Sequence, residues 1–326
     1  MNVFLTGVAG FIGSNLAQAL LEQGHSVAGL DDFSVGTRLN LETCLRNPLF
    51  RLVQGDVRDA SVVEPLVAEA DTVVHLAAGK IPRYEHALDT LSVNMKGTRT
   101  VVAAASRHGR HLVFASTSDV YGCNPDVPFH EGSAFVIGPG NVRRWSYALS
   151  KVYGEQIIRT HARDTALRYT ILRLFGGYGP GQSLTWRGGP QAVFIGAALR
   201  GEPLQIHGDG EQTRSFTYVS DHVDAFLRAI LTPPPEHNVF NIGSTREITI
   251  RDLATLVWAV ARGGEPRLEF IPYRTFGNYQ DVRRRVPDVT RASEYLRFTA
   301  KMPLETGLQK TTEWQRNRLE QEALCS

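Results

Sequence analysis

The segment Val3-Phe-Leu-Thr-Gly7-Val-Ala-Gly10-Phe-Ile-Gly13 decides the fold class of the chain. Its apolar start predicts a buried strand, and the glycines that follow open a stretch of helical period. Without a Cβ atom, Gly7 and Gly10 let the backbone turn sharply and approach a pyrophosphate, while Gly13 lets the helix pack closely on the strand. Free N–H groups at the start of that helix attract phosphate charge. We therefore expect a bound dinucleotide here, and the alternative is a plain strand-to-helix turn.

Short apolar runs alternate with longer segments of helical period through the first half of the chain. This alternation is typical of a doubly wound parallel sheet in which helices connect the strands. The predicted strands are residues 3–6, 26–30, 50–54, 72–76, 111–116 and 169–174. The predicted helices are residues 11–23, 60–68, 91–107 and 146–163. The expected fold class is therefore α/β, with a Rossmann-type sheet.

Turn-rich sequence replaces this alternation beyond Arg173. Residues 176–181 and 186–190 are rich in glycine and proline, and similar breaks separate the later helices. We predict a dinucleotide-binding domain over residues 1–175 and a smaller α/β substrate-binding lobe over residues 176–326. The chain is expected to cross back into the first domain around residues 214–243.

The composition of the chain indicates which classes of partner it can bind. Of the 326 residues, 42% are hydrophobic, and 35 Lys and Arg against 33 Asp and Glu leave a formal net charge of +2. That excess is far below what steers a protein onto nucleic acid or an anionic membrane, and no run of about 18 apolar residues occurs. The cysteines, Cys44, Cys123 and Cys325, lack metal-ligand spacing and favour a reducing cytoplasm. We expect small-molecule partners, without a metal, nucleic acid or a membrane.

Polar and small residues follow the next predicted strands. Asp31 and Asp32 lie about 20 residues after the glycines, where a carboxylate accepts hydrogen bonds from the adenosine ribose and repels a 2′-phosphate, so NAD is favoured over NADP. Asp56, after the third strand, would hold the adenine amino group or cap the next helix. His75-Leu-Ala-Ala-Gly79 ends the fourth strand with small residues that let backbone run against the cofactor, with Lys80 just beyond.

Tyr147 and Lys151 stand at i and i+4 and so share one helix face. The lysine charge would favour the phenolate and make a base available near neutral pH. This spacing alone is common by chance in helices. However, residues 115–122 end a strand at the same sheet edge as the glycine loop and offer hydroxyls and one carboxylate beside the nicotinamide. Together these segments predict a redox site.

In this order the motifs resemble those of the extended short-chain dehydrogenases/reductases, and among them the nucleotide-sugar epimerases, dehydratases and decarboxylases. The matching motifs are Gly7-x-x-Gly10-x-x-Gly13, Asp31, Gly55-Asp56-Val57, His75-Leu76-Ala77-Ala78, Asn94, Ser116-Thr-Ser-Asp-Val-Tyr-Gly122, Tyr147-x-x-x-Lys151, Gly208-Asp-Gly-Glu-Gln-Thr-Arg214-x-Phe-x-Tyr218 and Arg285-Val-Pro-Asp288. The resemblance implies NAD as the cofactor. Its expected contacts are Gly7, Gly10, Phe11, Ile12, Gly13, Asp31, Asp32, Asp56, Val57, Leu76, Ala77, Ala78, Lys80, Asn94, Tyr147 and Lys151.

The resemblance also implies the chemistry. Tyr147 would take the proton from a sugar hydroxyl, normally at C4, while hydride passes to NAD⁺. Lys151 would lower the pKa of the tyrosine and hold the nicotinamide ribose, and Thr117 would hydrogen-bond the same hydroxyl. Asn94 is expected to support the backbone near the active site.

A nucleoside-diphosphate sugar is the substrate class that the resemblance implies. Arg214 and Arg285 would bind its diphosphate, and Asp288 would lie near the nucleoside ribose. Adjacent residues must point in different directions, so we interpret Arg283 and Arg284 as a solvated basic face.

Several positions depart from the family pattern. Asp119 stands where relatives that eliminate or decarboxylate carry glutamate, and its carboxylate would act on C5 of a 4-keto sugar or hydrogen-bond the neighbouring loop. Gly176 replaces an asparagine that contacts the substrate, which leaves a space for a bulkier sugar or for Trp186 and Arg187. Arg143 and Arg144 bring cations towards the sugar end, which would suit a hexuronate, or else face solvent at a helix start.

The leading hypothesis is an NAD-dependent nucleoside-diphosphate-sugar 4-epimerase with Thr117, Tyr147, Lys151 and Asp119 in the catalytic site. The alternatives are a dehydratase or a hexuronate decarboxylase that uses Asp119, and, from another class, a non-catalytic NAD-binding sensor or scaffold. Apolar stripes on the helices predicted over 91–107 and 146–163 favour a homodimer.

Overall fold

The computed structural model describes residues 1–80, 87–233, 238–277 and 279–325. Its strands are Asn2–Thr6 (β1), Ser26–Asp31 (β2), Phe50–Gln54 (β3), Thr72–His75 (β4), His111–Thr117 (β5), Tyr169–Leu174 (β6), Gly177–Tyr178 (β7), Leu204–His207 (β8), Thr213–Ser215 (β9), Thr217–Tyr218 (β10), Asn238–Ile242 (β11), Glu247–Thr249 (β12), Leu268–Ile271 (β13) and Arg284–Arg285 (β14).

The α-helices are Phe11–Glu22 (α1), Glu42–Leu45 (α2), Ala60–Glu69 (α3), Ala87–Leu91 (α4), Thr98–Arg107 (α5), Trp145–Asp164 (α6), Pro190–Arg200 (α7), Val219–Leu231 (α8), Ile250–Ala261 (α9), Thr290–Leu296 (α10) and Leu304–Cys325 (α11). Short 3-10 helices cover Arg38–Leu41, Ser118–Tyr121 and Tyr273–Phe276, and a π-helical segment covers Ser92–Gly97.

A parallel seven-stranded sheet in the order β11-β6-β5-β4-β1-β2-β3 forms the centre of the molecule. Its inner strands are apolar and buried because helices cover both faces, as the alternation of runs in the sequence predicts. The strand order reverses between β1 and β4, and ligands bind at the carboxyl ends of the strands at such a point. The expected Rossmann-type α/β fold is confirmed.

The predicted helix over residues 91–107 differs most from the structure. It is preceded by α4 and interrupted by the π-helical segment Ser92–Gly97 before α5 begins. A π-helical turn widens the helix locally and is frequent at functional sites. Hydrophobic period alone could not predict it, because the apolar stripe continues through the segment.

The later part of the chain forms two small sheets against which α7 and α9 pack, and we call this part the smaller lobe. β8 pairs in parallel with β13, and β9 lies between β12 and β14 in a second small sheet. β11 instead pairs with β6 in the main sheet, and α8 packs against α1. Within the described ranges, no helix is both long and apolar enough to span a membrane.

Candidate active site

A cavity of about 1050 Å³ lies between the sheet edge and the smaller lobe. One wall consists of the glycine loop and the carboxyl ends of β2, β4, β5 and β6. The opposite wall is formed by the start of α7, by β9 and by the segment that leads into β14. The sheet edge and the lobe therefore enclose one volume large enough for two ligands side by side.

The glycine loop forms a cradle that side chains would fill. Gly7 has a φ of +72°, and a Cβ atom there would lie 2.8 Å from the backbone nitrogen of Ala77. A Cβ atom on Gly13 would collide with the carbonyl oxygen of Gly7. Gly10 precedes α1 without a side-chain cap, so the first N–H groups of the helix are open to a phosphate. These residues fit the pyrophosphate of a dinucleotide.

Asp31 fixes the cradle as well as lining the cavity. Its Oδ2 accepts a hydrogen bond from the N–H of Ala9 at 2.8 Å, and its Oδ1 accepts one from Phe33 at 2.9 Å. Burial raises the pKa of Asp31, and the backbone N–H donors act against that rise. Asp32 also lines the cavity and accepts hydrogen bonds from the backbone and hydroxyl of Ser34. Both carboxylates lie where a ribose is expected.

Asp56 lies beside the cavity without lining it, and its contact with an adenine amino group stays a prediction. The Asp56 carboxylate forms a two-pronged ion pair with Arg58, which holds its pKa below the usual range, and Val57 and Arg58 line the cavity. The alternative prediction, a helix cap, is wrong, because the Asp59 side chain accepts the hydrogen bond from Ser61 at the start of α3. An N-cap residue directly precedes the first residue of its helix, and α3 begins at Ala60, so Asp56 lies three residues too far upstream to be its cap.

Small residues after β4 give the cavity a backbone floor, as expected. The lining here is Leu76, Ala77, Ala78, Gly79 and Lys80. The Thr6 hydroxyl accepts the N–H groups of Leu76 and Ala77 at 3.2 Å each, which fixes this floor against β1.

Asn94 supports the floor rather than facing the cavity. Its amide exchanges two hydrogen bonds with the backbone of Gly79, at 2.8 and 3.0 Å. It also donates to the Ser150 hydroxyl at 2.9 Å, and Ser150 donates to the carbonyl of Tyr147. Asn94 is buried and does not line the cavity, so its predicted cofactor contact is not supported, while its supporting position is as expected. The π-helical turn thus connects the floor to α6.

Tyr147 and Lys151 both line the cavity from α6, together with Thr117 at the end of β5. Burial raises the pKa of Tyr147, the Asp119 charge adds to the rise, and the Thr117 hydroxyl opposes it. The Lys151 ammonium donates to the Ala115 carbonyl at 2.7 Å, and burial lowers its pKa to about 7. Lys151 is not among the groups that shift the pKa of Tyr147, so the expected lowering of that pKa by the lysine charge is not seen.

Five charged side chains meet at the cavity wall beside Tyr147, and we call them the arginine–aspartate cluster. They are Asp119, Arg144, Arg214, Asp281 and Arg285. Asp119 Oδ1 lies 2.8 Å from Arg285 Nη1 and 3.4 Å from Arg144 Nη2. Asp281 Oδ1 lies 3.1 Å from Arg144 Nη1 and 2.9 Å from Arg214 Nη2. Three guanidinium groups against two carboxylates leave one excess positive charge.

The arginines hold both carboxylates of this cluster ionised. Arg285 and Arg144 keep the pKa of Asp119 below its usual range although burial acts to raise it. Arg214 and Arg144 hold the pKa of Asp281 well below its usual range. Neither aspartate has a proton to donate near neutral pH.

Asp281 was missed by the sequence analysis. Its second oxygen accepts the Tyr273 hydroxyl at 2.5 Å, and Tyr279 also approaches the first. The only signal available was its position four residues before Arg285, which does not identify its partners. Arg144 and Arg214 come from distant parts of the chain, so the contact depends on the docking of the two lobes.

Each of the two runs of consecutive arginines has one member in the cavity wall and its other members at the surface. Arg144 lines the cavity, while Arg143 is exposed. Arg285 lines the cavity, whereas Arg283 pairs with Asp209 and Arg284 with Glu247 at the surface, both more than half exposed.

Gly176 requires a correction. It lines the cavity, but a Cβ atom there would collide with the Ser215 carbonyl oxygen, so backbone already fills the space expected for a bulkier sugar. Asp288 does not line the cavity, and its carboxylate accepts the N–H of Thr290 at 2.8 Å where α10 begins. Its place near a nucleoside ribose stays a prediction.

The doubly wound sheet, the glycine cradle, the half-buried Tyr147 and the buried Lys151 define a dinucleotide-dependent enzyme. A sequence profile described as the NAD dependent epimerase/dehydratase family matches residues 3–243. The chain belongs to this family, which confirms the resemblance and NAD as the cofactor.

Three relatives illustrate the similarity. The chain is 34% identical to UDP-N-acetyl-alpha-D-glucosaminuronate decarboxylase of Bacillus cytotoxicus over 95% of its own length and 96% of that protein. It is 34% identical to UDP-glucuronic acid decarboxylase 4 of Arabidopsis thaliana over 94% of its length and 67% of that protein. The solved UDP-glucuronic acid 4-epimerase of Bacillus cereus, with UDP-glucuronic acid and NAD, gives a TM-score of 0.87 at 26% identity, over 98% of this chain and 100% of that one.

Proposed function

We propose that the protein is an NAD-dependent decarboxylase of a uridine-diphosphate hexuronate. The observation that carries this proposal is Arg144, which lies in the cavity wall beside the reacting tyrosine and is shared between Asp119 and Asp281. A neutral sugar needs no such cation next to its reacting hydroxyl. A hexuronate carboxylate would neutralise the excess positive charge of the cluster.

Because Arg144 is shared between two aspartates, it should bind the substrate carboxylate only moderately, which suits loss of that carboxylate as carbon dioxide. A free arginine would hold the substrate carboxylate so strongly that loss of its charge would become harder, since only interactions stronger in the transition state accelerate a reaction. Here Asp119 and Asp281 already occupy much of the guanidinium. Arg144 therefore binds the substrate carboxylate without strongly opposing its loss as carbon dioxide.

The side chains of the site support a three-step course. Tyr147, next to Thr117, takes the proton of the C4 hydroxyl as that carbon is oxidised to a ketone. The C6 carboxylate is then β to a carbonyl, so the C5–C6 bond breaks, its electron pair enters a C4–C5 enolate, and carbon dioxide leaves. Water supplies the proton that C5 takes up. The bound dinucleotide would accept the C4 hydride in the first step and return it to C4 in the last, when Tyr147 gives its proton back to the C4 oxygen, so that a UDP-pentose is the product.

Asp119 acts in this account as a positioning residue. Its pKa is held below the usual range by Arg285 and Arg144, so its carboxylate is a weak base and carries no proton near neutral pH. Removal of a C5 proton, as elimination requires, is a poor task for such a group. Orienting Arg144 and Arg285 towards the sugar is a task that its two ion pairs already perform.

The relatives support the same reading. The two curated relatives described above are decarboxylases whose names specify uronate sugars. This favours the decarboxylase alternative over the 4-epimerase that the sequence analysis placed first. A 4-epimerase acting on the same hexuronate is the second candidate, because the Bacillus cereus neighbour carries that activity in its name.

A product assay separates the candidates. We would incubate the purified protein with UDP-glucuronic acid, UDP-N-acetylglucosaminuronic acid and UDP-glucose and examine the products by mass spectrometry. A decarboxylase converts a uronate to a UDP-pentose lighter by one carbon dioxide and leaves UDP-glucose unchanged. An unchanged mass with an inverted C4 centre identifies the epimerase, and no conversion of any sugar identifies a non-catalytic NAD-binding protein.

A further inference from the structure

His222 is a fully buried side chain that lines the cavity and has no assigned role. It lies in the first turn of α8, directly after the short β7–β10 pairing. Among the described residues, neither ring nitrogen makes a hydrogen bond of regular geometry, although the backbone carbonyl groups of Phe175 and Ile242 lie close to the ring. Buried polar groups are almost always paired, so an unpaired imidazole facing a cavity indicates a ligand that completes it.

The surroundings of His222 place it at the nicotinamide side of the cavity. A Cβ atom on Gly177 would lie 2.9 Å from Cε1 of His222 and 3.4 Å from Cε1 of Phe11, which begins α1. Gly177 follows three residues after Leu174, whose Cα partner across the sheet is Thr117. His222 thus lies between the phosphate cradle and the reacting centre, away from the adenosine end at Asp31.

The His222 ring itself is uncharged near neutral pH. Burial lowers its pKa to about 4 and the Lys80 charge adds to this, while the carbonyl groups of Phe175 and Ile242 act against it, so the neutral ring offers one N–H donor and one bare nitrogen acceptor. Gln191 approaches the same glycine, with Nε2 3.5 Å from the Gly177 carbonyl, and its Oε1 is buried and likewise unpartnered among the described residues. A ligand group that carries N–H donors and an oxygen acceptor would pair with the His222 ring nitrogens and with Gln191 Oε1. A carboxamide is such a group.

We propose that His222 hydrogen-bonds the carboxamide of the bound dinucleotide and thereby fixes the face that the nicotinamide presents to the sugar. The proposal rests on NAD binding and not on whether the reaction is decarboxylation or epimerisation. Gly177 is part of the arrangement, because any side chain there would collide with the imidazole.

Binding measurements on the full chain, freed of co-purifying nucleotide, test the proposal. NAD⁺, its 3-acetylpyridine analogue, in which a methyl group replaces the carboxamide NH₂, and ADP-ribose would be titrated by calorimetry. We expect His222→Leu to bind NAD⁺ about three- to tenfold more weakly, to lose the preference for NAD⁺ over the analogue, and to bind ADP-ribose as before. His130→Leu, an exposed position outside the cavity, is the matched control and should change none of the three.

Two results would overturn the proposal. One is unchanged NAD⁺ affinity in His222→Leu, and the other is a loss that affects the analogue or ADP-ribose as much as NAD⁺. Thermal unfolding adds a second readout. Removal of an unpartnered buried polar group should leave the Tm of the nucleotide-free protein equal or higher, and a clearly lower Tm would mean that the ring is held by the protein. If His222→Leu does not fold, His222→Asn carries the same comparison.

Discussion

Arg144 and Asp281 connect the two sides of the cavity, with Nη1 of the arginine 3.1 Å from Oδ1 of the aspartate. Arg144 ends the loop that leads into α6, the helix that carries Tyr147, whereas Asp281 belongs to the segment before β14. The same aspartate oxygen accepts a hydrogen bond from Arg214. A charge contact therefore couples the position of α6 to that of the smaller lobe.

Replacement of Arg144 by methionine should impair uronate turnover specifically. Loss of one partner from a largely shielded charge cluster costs several kcal/mol, so we expect kcat/KM for the UDP-hexuronate to fall by about 100-fold. NAD content, measured by release from denatured protein, should not change. Arg143→Met is the matched control, because this neighbour is exposed and lies outside the cavity. Wild-type kcat/KM in Arg144→Met would refute the role given to this guanidinium.

Replacement of Tyr147 by phenylalanine should remove proton transfer while leaving binding in place. We expect kcat to fall by about 10²- to 10⁴-fold, the usual contribution of a general base, with little change in Kd for the UDP-sugar. Tyr153→Phe, on the same helix but outside the cavity, serves as the control. Near-normal turnover of Tyr147→Phe would eliminate the proposed mechanism.

The buried lysine should make the nucleotide-free protein more stable as pH rises above neutral. The pKa of Lys151 is lowered from 10.5 to about 7, so above pH 7 the folded state releases a proton that the unfolded state still binds. Stability should therefore rise by at most about 1.4 kcal/mol per pH unit between these two values. Urea denaturation at several pH values would show this slope in the wild type and not in Lys151→Met. Parallel curves for the two proteins would contradict the buried position of the ammonium.

A buried ion pair beneath the reacting centre should matter far more than a surface one. Arg173 Nη2 lies 2.6 Å from Glu155 Oε2 with both side chains 1% exposed. Because Glu155→Gln leaves the arginine charge uncompensated, we expect a loss of about 3–5 kcal/mol in the free energy of unfolding. Glu69→Gln, which breaks an ion pair with Arg51 that is more than half exposed, should cost less than about 1 kcal/mol. Equal effects in chemical denaturation would show that the interior pair is not desolvated.

The local parts of this structure were predictable from the sequence. Short apolar runs gave the six predicted strands within one residue at each end, because burial of apolar side chains dominates that pattern. The glycine cradle was equally predictable from the sequence, since Gly7 and Gly13 occupy positions where a Cβ atom collides with backbone. The homodimer expected from the helix stripes stays a prediction.

The parts that depend on docking of the lobes were not predictable. Asp281 carries no local motif, and its partners Arg144 and Arg214 are far away in the chain. Asp56 and Asp288 matched a pattern by position, but the pattern did not show that their carboxylates pair with Arg58 and with the N–H of Thr290. Side-chain partners of this kind are set by three-dimensional packing, which spacing along the chain does not encode.

The most direct test of the account follows the fate of carbon C6. The protein would be incubated with UDP-glucuronic acid or UDP-N-acetylglucosaminuronic acid carrying ¹³C at C6, and the label would be followed by NMR. The account predicts that the label leaves the nucleotide sugar and appears as bicarbonate in step with formation of a UDP-pentose. Turnover with the label retained in a UDP-hexuronate would contradict it.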